Sequence, residues 1–301
     1  MCMQIEELIQ SCKICQTFQN NNQKEPMLPH EVPERPWQKL GVDLFEFHGK
    51  EYLLIVDYYS KFLEVCVLEM LTSKCVVMHC KTVFARHGIP ETVITDNGPQ
   101  FNSKEFEMFA KEWNFVHVTS SPYCARSNGM AERTIQTVKK VLKKSSLDNT
   151  DIYLCLLDLR NTPVVDMQSP AQLLMGRRLR TRLPIAKALL QPEGVSHSSV
   201  KEQLKERQKK QKHYYDHGAK LLPPLNVGER VTIQKEGIWQ PATVIECHQN
   251  PRSYVVETQD ARLYRRNRRA LQRSQERMCE ESHESFSLFK KSDSMSGGKL
   301  G

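Results

Sequence analysis

Three carboxylates set the chemical question. Asp43 sits inside the apolar run Leu40-Gly41-Val42-Asp43-Leu44-Phe45. Asp96 ends the run Val93-Ile94-Thr95-Asp96 and turns at once into Asn97-Gly98-Pro99. Glu132 lies in the first turn of a helical stretch fed by Ser127-Asn128-Gly129, with 35 residues between it and Asp96. An acid at a strand end and an acid at a helix start can converge, and converged carboxylates repel unless a cation neutralises them. Oxygen ligands with open positions favour Mg²⁺ or Mn²⁺ over zinc. Two such ions about 3.5–4 Å apart activate an attacking hydroxyl and stabilise the leaving oxygen of an in-line displacement. Taken singly, each acid has a plainer use: a turn cap for Asp43, an Asx-turn with Gly98 for Asp96, a helix-dipole partner for Glu132.

The elements that must position these acids follow from residue patterning. Gln38–Phe47 and Glu51–Asp57 read as strands joined by a His48-Gly49-Lys50 turn, and Phe62–Leu68 as a third. Ser73–His87 reads as a helix with Ser73 as N-cap and Gly88 as its stop, before a strand at Thr92–Thr95. Ser103 caps a helix over Lys104–Trp113, and Phe115–Thr119 is a further strand. The Ser-, Pro- and Gly-bearing loop 120–129 reads as mobile, and helices follow over Met130–Lys144, Ile152–Arg160 and Pro170–Leu174. This order predicts an α/β fold, a mixed sheet flanked by helices.

On the helix after Glu132, Ile135, Val138 and Leu142 share a core-facing stripe. Gln136, Lys139, Lys140 and Lys143 share a different face, suited to a phosphate backbone; the bland alternative is a solvated charged face. Five short strand-like runs between Val227 and Leu271 suggest a small all-β, SH3-like barrel, with Trp239 in its core. Arg265, Arg266, Arg268 and Arg269 on that module could neutralise phosphates or serve as a nuclear-localisation signal. The expected plan is a remnant of a zinc-binding module at 1–19, a linker at 20–36 and the core at 37–190. A solvated basic connecting helix at 197–222, the barrel at 225–272 and a disordered tail at 273–301 complete it.

Composition narrows the partners. A net charge of +8 makes a polyanion a reasonable ligand. The 10 cysteines form no regular framework and only Cys12 and Cys15 make a CxxC pair, so reduced thiols of an intracellular protein are expected. No apolar run reaches the roughly 18–20 residues needed to span a bilayer, which predicts no membrane partner.

Taken together and in order, Gly41-Val42-Asp43-Leu44-Phe45, Thr95-Asp96-Asn97-Gly98-Pro99-Gln100-Phe101 and Ser127-Asn128-Gly129-Met130-Ala131-Glu132-Arg133 closely resemble the integrase core of retroviruses and long-terminal-repeat retrotransposons. The likeness is nearest to the Ty3/gypsy-like group and covers about residues 34–185. It implies an RNase H-like fold, Asp43, Asp96 and Glu132 as a Mg²⁺ (or Mn²⁺) triad, and hydrolysis and joining of DNA 3′ ends. It further implies double-stranded DNA and further copies of the chain as partners, contact with DNA at Asn128 and the α-helical lysines, and a nuclear location. Cys12 and Cys15 resemble the last two ligands of the family's His-His-Cys-Cys zinc domain; the sequence reads as truncated before the His pair, leaving Zn²⁺ without two ligands. Cys124-Ala125-Arg126 departs from the family's bulky residue, Pro and Gln. Two other classes stay open: a domesticated or decayed integrase that binds DNA or protein without catalysis, and an RNase H-like nuclease that cuts without joining.

Overall fold

The computed structural model describes residues 12–18, 20, 22–119, 129–164, 167–235 and 238–274. After a short helix α1 (Lys13–Thr17), strands β1 (Lys39–Phe47), β2 (Lys50–Asp57) and β3 (Leu63–Leu68) form an antiparallel meander. Helix α2 (Ser73–His87) then crosses to β4 (Thr92–Thr95), which pairs parallel to β1. Helix α3 (Lys104–Glu112) leads to β5 (Val116–Thr119), parallel to β4. The sheet order is β3-β2-β1-β4-β5, the mixed sheet that the patterning predicts. Helices α4 (Gly129–Asp148), α5 (Ile152–Asn161) and α6 (Pro170–Met175) complete this layer.

Alternation decides which helix covers which face. Leu40 and Val42 of β1 join Val76, Val83, Phe84, Phe106 and Phe109 of α2 and α3 in one core. Phe45 of β1, with Tyr52, Leu54 and Val56 of β2, packs against Ala131, Val138 and Leu142 of α4 on the other face. Asp43 is in step with Phe45 and therefore looks toward α4.

Some local readings are corrected. The cap of α2 is Thr72, whose Oγ1 accepts the Cys75 N–H at 3.3 Å, so Ser73 lies in the first turn. Helix α7 (His197–Asp216) is not solvated all round: Val200 and Leu204 are buried with Tyr59, Met167 and Leu173, because one apolar pair a turn apart suffices to dock its first half. The stretch read as a linker is pinned rather than slack. The Asn22 amide donates to the Arg269 and Leu271 carbonyls at 2.9 and 2.7 Å, and the Met27 N–H donates to Asp216 at 2.6 Å.

A second five-stranded sheet, antiparallel throughout, is built from β6 (Arg230–Lys235), β7 (Ile238–Cys247), β8 (Ser253–Thr258), β9 (Leu263–Asn267) and β10 (Leu271–Arg273). Its order is β10-β6-β7-β8-β9, over a core of Val231, Ile233, Val244, Val256 and Leu271. Trp239 is buried. Among the described residues, no helix is long and apolar enough to cross a membrane.

Candidate active site

The parallel register of β1 on β4 aligns Leu40 with Val93 and Gly41 with Ile94. Continued by two residues, it brings Asp43 level with Asp96, one strand away. Glu132 reaches the same region from the first turn of α4, which packs over β1. The electrostatics register this convergence. Burial, and then the negative charges of Asp96 and Glu132, push the Asp43 carboxyl up to about 7, although its Oδ1 accepts the Leu44 N–H at 2.9 Å.

Asp96 is held by its own turn. Its Oδ1 accepts the Gly98 N–H at 3.0 Å, and a Cβ at Gly98 would meet that same oxygen at 3.0 Å. The backbone beneath it is tied as well: Thr95 Oγ1 donates to the Asp96 carbonyl at 2.7 Å and lies 2.9 Å from His117 Nε2. Because the threonine proton is already committed, Nε2–H of a neutral His117 donates to Thr95. Burial holds that imidazole far below the usual histidine range, at about 4, which keeps it neutral.

Among the described residues, no set of three or more His, Cys, Asp and Glu side chains stands close enough to enclose a metal ion. Two of the acids each accept one nearby backbone N–H on Oδ1, Asp43 from Leu44 and Asp96 from Gly98. The donor set still fits a hard divalent cation, since it offers carboxylate oxygens and a mutual repulsion that a cation would cancel. Tyr58 is a neighbour that sequence patterning did not reveal: it is buried, and the Glu132 charge adds to burial in raising its phenol. Nothing local in Asp57-Tyr58-Tyr59-Ser60 signals this, because the neighbourhood comes from α4.

The remaining predicted residues divide sharply. Gln136, Lys139, Lys140 and Lys143 are exposed along α4, and the Lys139 ammonium lies 5.6 Å from the Phe45 ring centre. Asn128 lies outside the described residues. The arginine cluster of the second sheet does not form a phosphate-facing row. Arg266 and Arg268 are buried, the latter donating to the Pro223 and Leu271 carbonyls. Arg265 donates to Thr119 of β5 at 3.2 Å, and Arg269 to the Asn22 carbonyl at 3.4 Å. These guanidiniums join the sheet to its surroundings, since long planar donors suit clustered carbonyls. Cys12 and Cys15 are free thiols, and the hydrogen bonds between them lower the Cys12 thiol and raise that of Cys15. No third ligand joins them among the described residues.

A mixed β3-β2-β1-β4-β5 sheet with acids at the β1–β4 junction and on the covering helix is the architecture of a retroviral-type integrase core. Residues 33–125 match the family model described as Integrase core domain, a span that contains Asp43 and Asp96 and ends before Glu132. The chain is 30% identical over 239 residues to the uncharacterized protein K02A2.6 of Caenorhabditis elegans, covering 76% of this chain and 18% of that protein. It is 36% identical over 149 residues to the Transposon Tf2-3 polyprotein of Schizosaccharomyces pombe, covering 46% and 11%. The chain thus spans less than a fifth of the length of these curated relatives. Its fold superposes with TM-score 0.57 and 16% identity, over 91% of both chains, on a chain of a simian T-cell lymphotropic virus intasome solved in complex with PP2A regulatory subunit B56 gamma. Together these likenesses support an integrase of the long-terminal-repeat retrotransposon type.

Proposed function

We propose that this chain is a divalent-metal-dependent polynucleotidyl transferase that hydrolyses the 3′ ends of donor DNA and joins them to target DNA. The reading is carried by one observation: Asp43 and Asp96 stand level on paired parallel strands while the charges of Asp96 and of Glu132, from the covering helix, act on the Asp43 carboxyl. Asp43, Asp96 and Glu132 would hold Mg²⁺ or Mn²⁺. When bound, such ions supply the positive charge that an attacking hydroxyl and a leaving oxygen require. The chain's own residues do the positioning. Thr95 and Gly98 fix the Asp96 turn, and α4 presents Gln136, Lys139, Lys140 and Lys143 where a phosphate backbone would approach the acids.

Duplex DNA, further copies of the chain and a nuclear location belong to this reading, since the substrate is genomic and relatives of this fold act as assemblies. The test is strand transfer with an oligonucleotide duplex and Mg²⁺, compared with Glu132→Gln. Joined product that disappears in the variant supports the proposal; cleavage without joining in the native chain points to a nuclease and sinks it. The second reading, a non-catalytic DNA-binding descendant, draws on the acids being engaged with backbone amides rather than gathered into one cluster. Duplex binding with no metal-dependent product would favour it.

A further inference from the structure

Arg177, Arg178, Arg180 and Arg182 fall within the seven residues that follow α6, a cluster outside the residues considered so far. Gly176, with φ 68°, ends α6 in the left-handed region, and its carbonyl accepts the Glu193 N–H at 2.6 Å. The segment beyond it is held at Leu179. Asn161 at the end of α5 donates to the Leu179 carbonyl at 3.1 Å and accepts the Leu179 N–H at 3.0 Å. Leu179 packs toward the α2–α3 core, so the arginines on either side of it point elsewhere. Arg177, Arg180 and Arg182 are exposed. Three cations thus flank a backbone that is tied at Gly176 and Leu179.

Arg178 differs from the other three. It is half-buried, and its Nε is buried without a hydrogen-bond acceptor. It lines a cleft of about 510 Å³ together with Gln168, Gln172, Ser196, Ser199 and Gln203 at the start of α7. The Gln168 Oε1 is likewise buried without a donor. Among the described residues, none of the four arginines forms an ion pair. A guanidinium N–H out of water and without an acceptor is costly, and four like charges on one short segment repel. An anion with several oxygens relieves both faults, since arginine forks match phosphate geometry. A row of cations suits a polyanion better than a single ion, and each strand of duplex DNA carries one charge per about 3.4 Å of axis.

We propose that Arg177, Arg178, Arg180 and Arg182 form a phosphate-backbone contact for duplex DNA, carried by a different element from the lysine face of α4. The contact rests on the integrase reading and adds a second place where that reading requires DNA to be held. It is sequence-independent, because the donors are charged forks aimed at phosphate with no base-reading element between them.

The experiment measures affinity of the full chain for a random-sequence DNA duplex as a function of chloride. Arms are the native chain, the triple variant R177Q/R180Q/R182Q, R178Q and R180E. The expected result is a fall of about 2–3 in the slope of log affinity against log salt for the triple variant, near 0.9 per lost phosphate, with affinity reduced roughly 10–100-fold. R178Q and R180E each weaken binding in the same direction. Melting midpoints stay unchanged in the triple variant and R180E, whose side chains are exposed; were the triple variant to melt early, R180E alone decides. A native slope and affinity in the variants, with the native chain binding DNA, overturns the contact and leaves the integrase reading standing. No duplex binding by the native chain overturns both. A third arm adds inorganic phosphate at ionic strength matched with chloride. Equal displacement by the two salts supports a backbone contact, whereas displacement specific to phosphate and lost in R178Q would make this a small-anion site and refute the proposal.

Discussion

Replacing Arg268 separates two readings of the arginine cluster in the second sheet. If these arginines face phosphate, Arg268→Ala weakens DNA binding and spares the fold. The structure predicts the reverse. Arg268 is 4% exposed; its Nε donates to the Pro223 carbonyl at 2.7 Å and its Nη1 to the Leu271 carbonyl at 2.6 Å. One side chain therefore ties the segment entering the sheet to β10, its edge strand. A hydrogen bond involving a charged group contributes about 1.5–3 kcal/mol, and truncation also strands two carbonyls. Loss of both bonds, partly offset by water reaching the vacated space, should destabilise the C-terminal module by roughly 3–5 kcal/mol. For a unit this small, that lowers its melting midpoint by about 15 °C or more. Arg268→Lys should recover about half, because an ammonium lacks the fork needed to reach both carbonyls. Hydrogen exchange read segment by segment is the appropriate assay, since a chain with two sheets need not melt in one step. Amides of β6–β10 should exchange faster in Arg268→Ala while those of β1–β5 keep native protection. Duplex affinity, taken well below the melting range, should change less than twofold. Native exchange in β6–β10 together with weakened, less salt-dependent DNA binding would refute the structural role.

The other expectations concern the acids and their supports. Gly98→Ala introduces a Cβ 3.0 Å from Asp96 Oδ1 and must push that carboxylate aside, so metal-dependent joining should fall about 10–100-fold with the melting midpoint within a few degrees of native. His117 is held at about 4 against an ordinary value near 6.5. The unfolded chain thus takes up a proton that the folded chain refuses. Stability is full above pH 6.5 and declines as pH falls toward 4, by roughly 2–3 kcal/mol at most. His117→Gln, measured by urea titration across that range, should flatten this limb; an unchanged acid limb would place the titration elsewhere. Glu132→Gln should leave stability nearly native, because the residue is only half-buried, while abolishing joined product in the strand-transfer assay.

Much of this was legible in residue order. The apolar runs around Leu40–Phe45 and Tyr52–Val56 read as strands, which the structure buries on both faces, and the Ser103 cap marks a helix start that the structure retains. Gly88 after the last periodic residue marks the end of α2. The Thr72 cap was misread by one position, since two adjacent hydroxyl residues can each fill that role and only the bond to Cys75 distinguishes them.

The sequence by itself determined which residues could carry chemistry: three acids, two at strand positions and one in a helix's first turn, at a spacing shared with a known family. It also determined the local elements, because periodicity and capping are properties of neighbours along the chain. Tertiary structure alone decided what those residues meet. The parallel pairing of β1 with β4 makes Asp43 and Asp96 neighbours, and no local pattern reports it. The fate of the arginines was decided in the same way. Arg269 bonds Asn22 across 247 positions and Arg265 bonds Thr119 across 146, so cations that look free in one dimension are already engaged in three. A charge pattern records which groups exist, whereas burial and long-range partners determine which of them still face solvent.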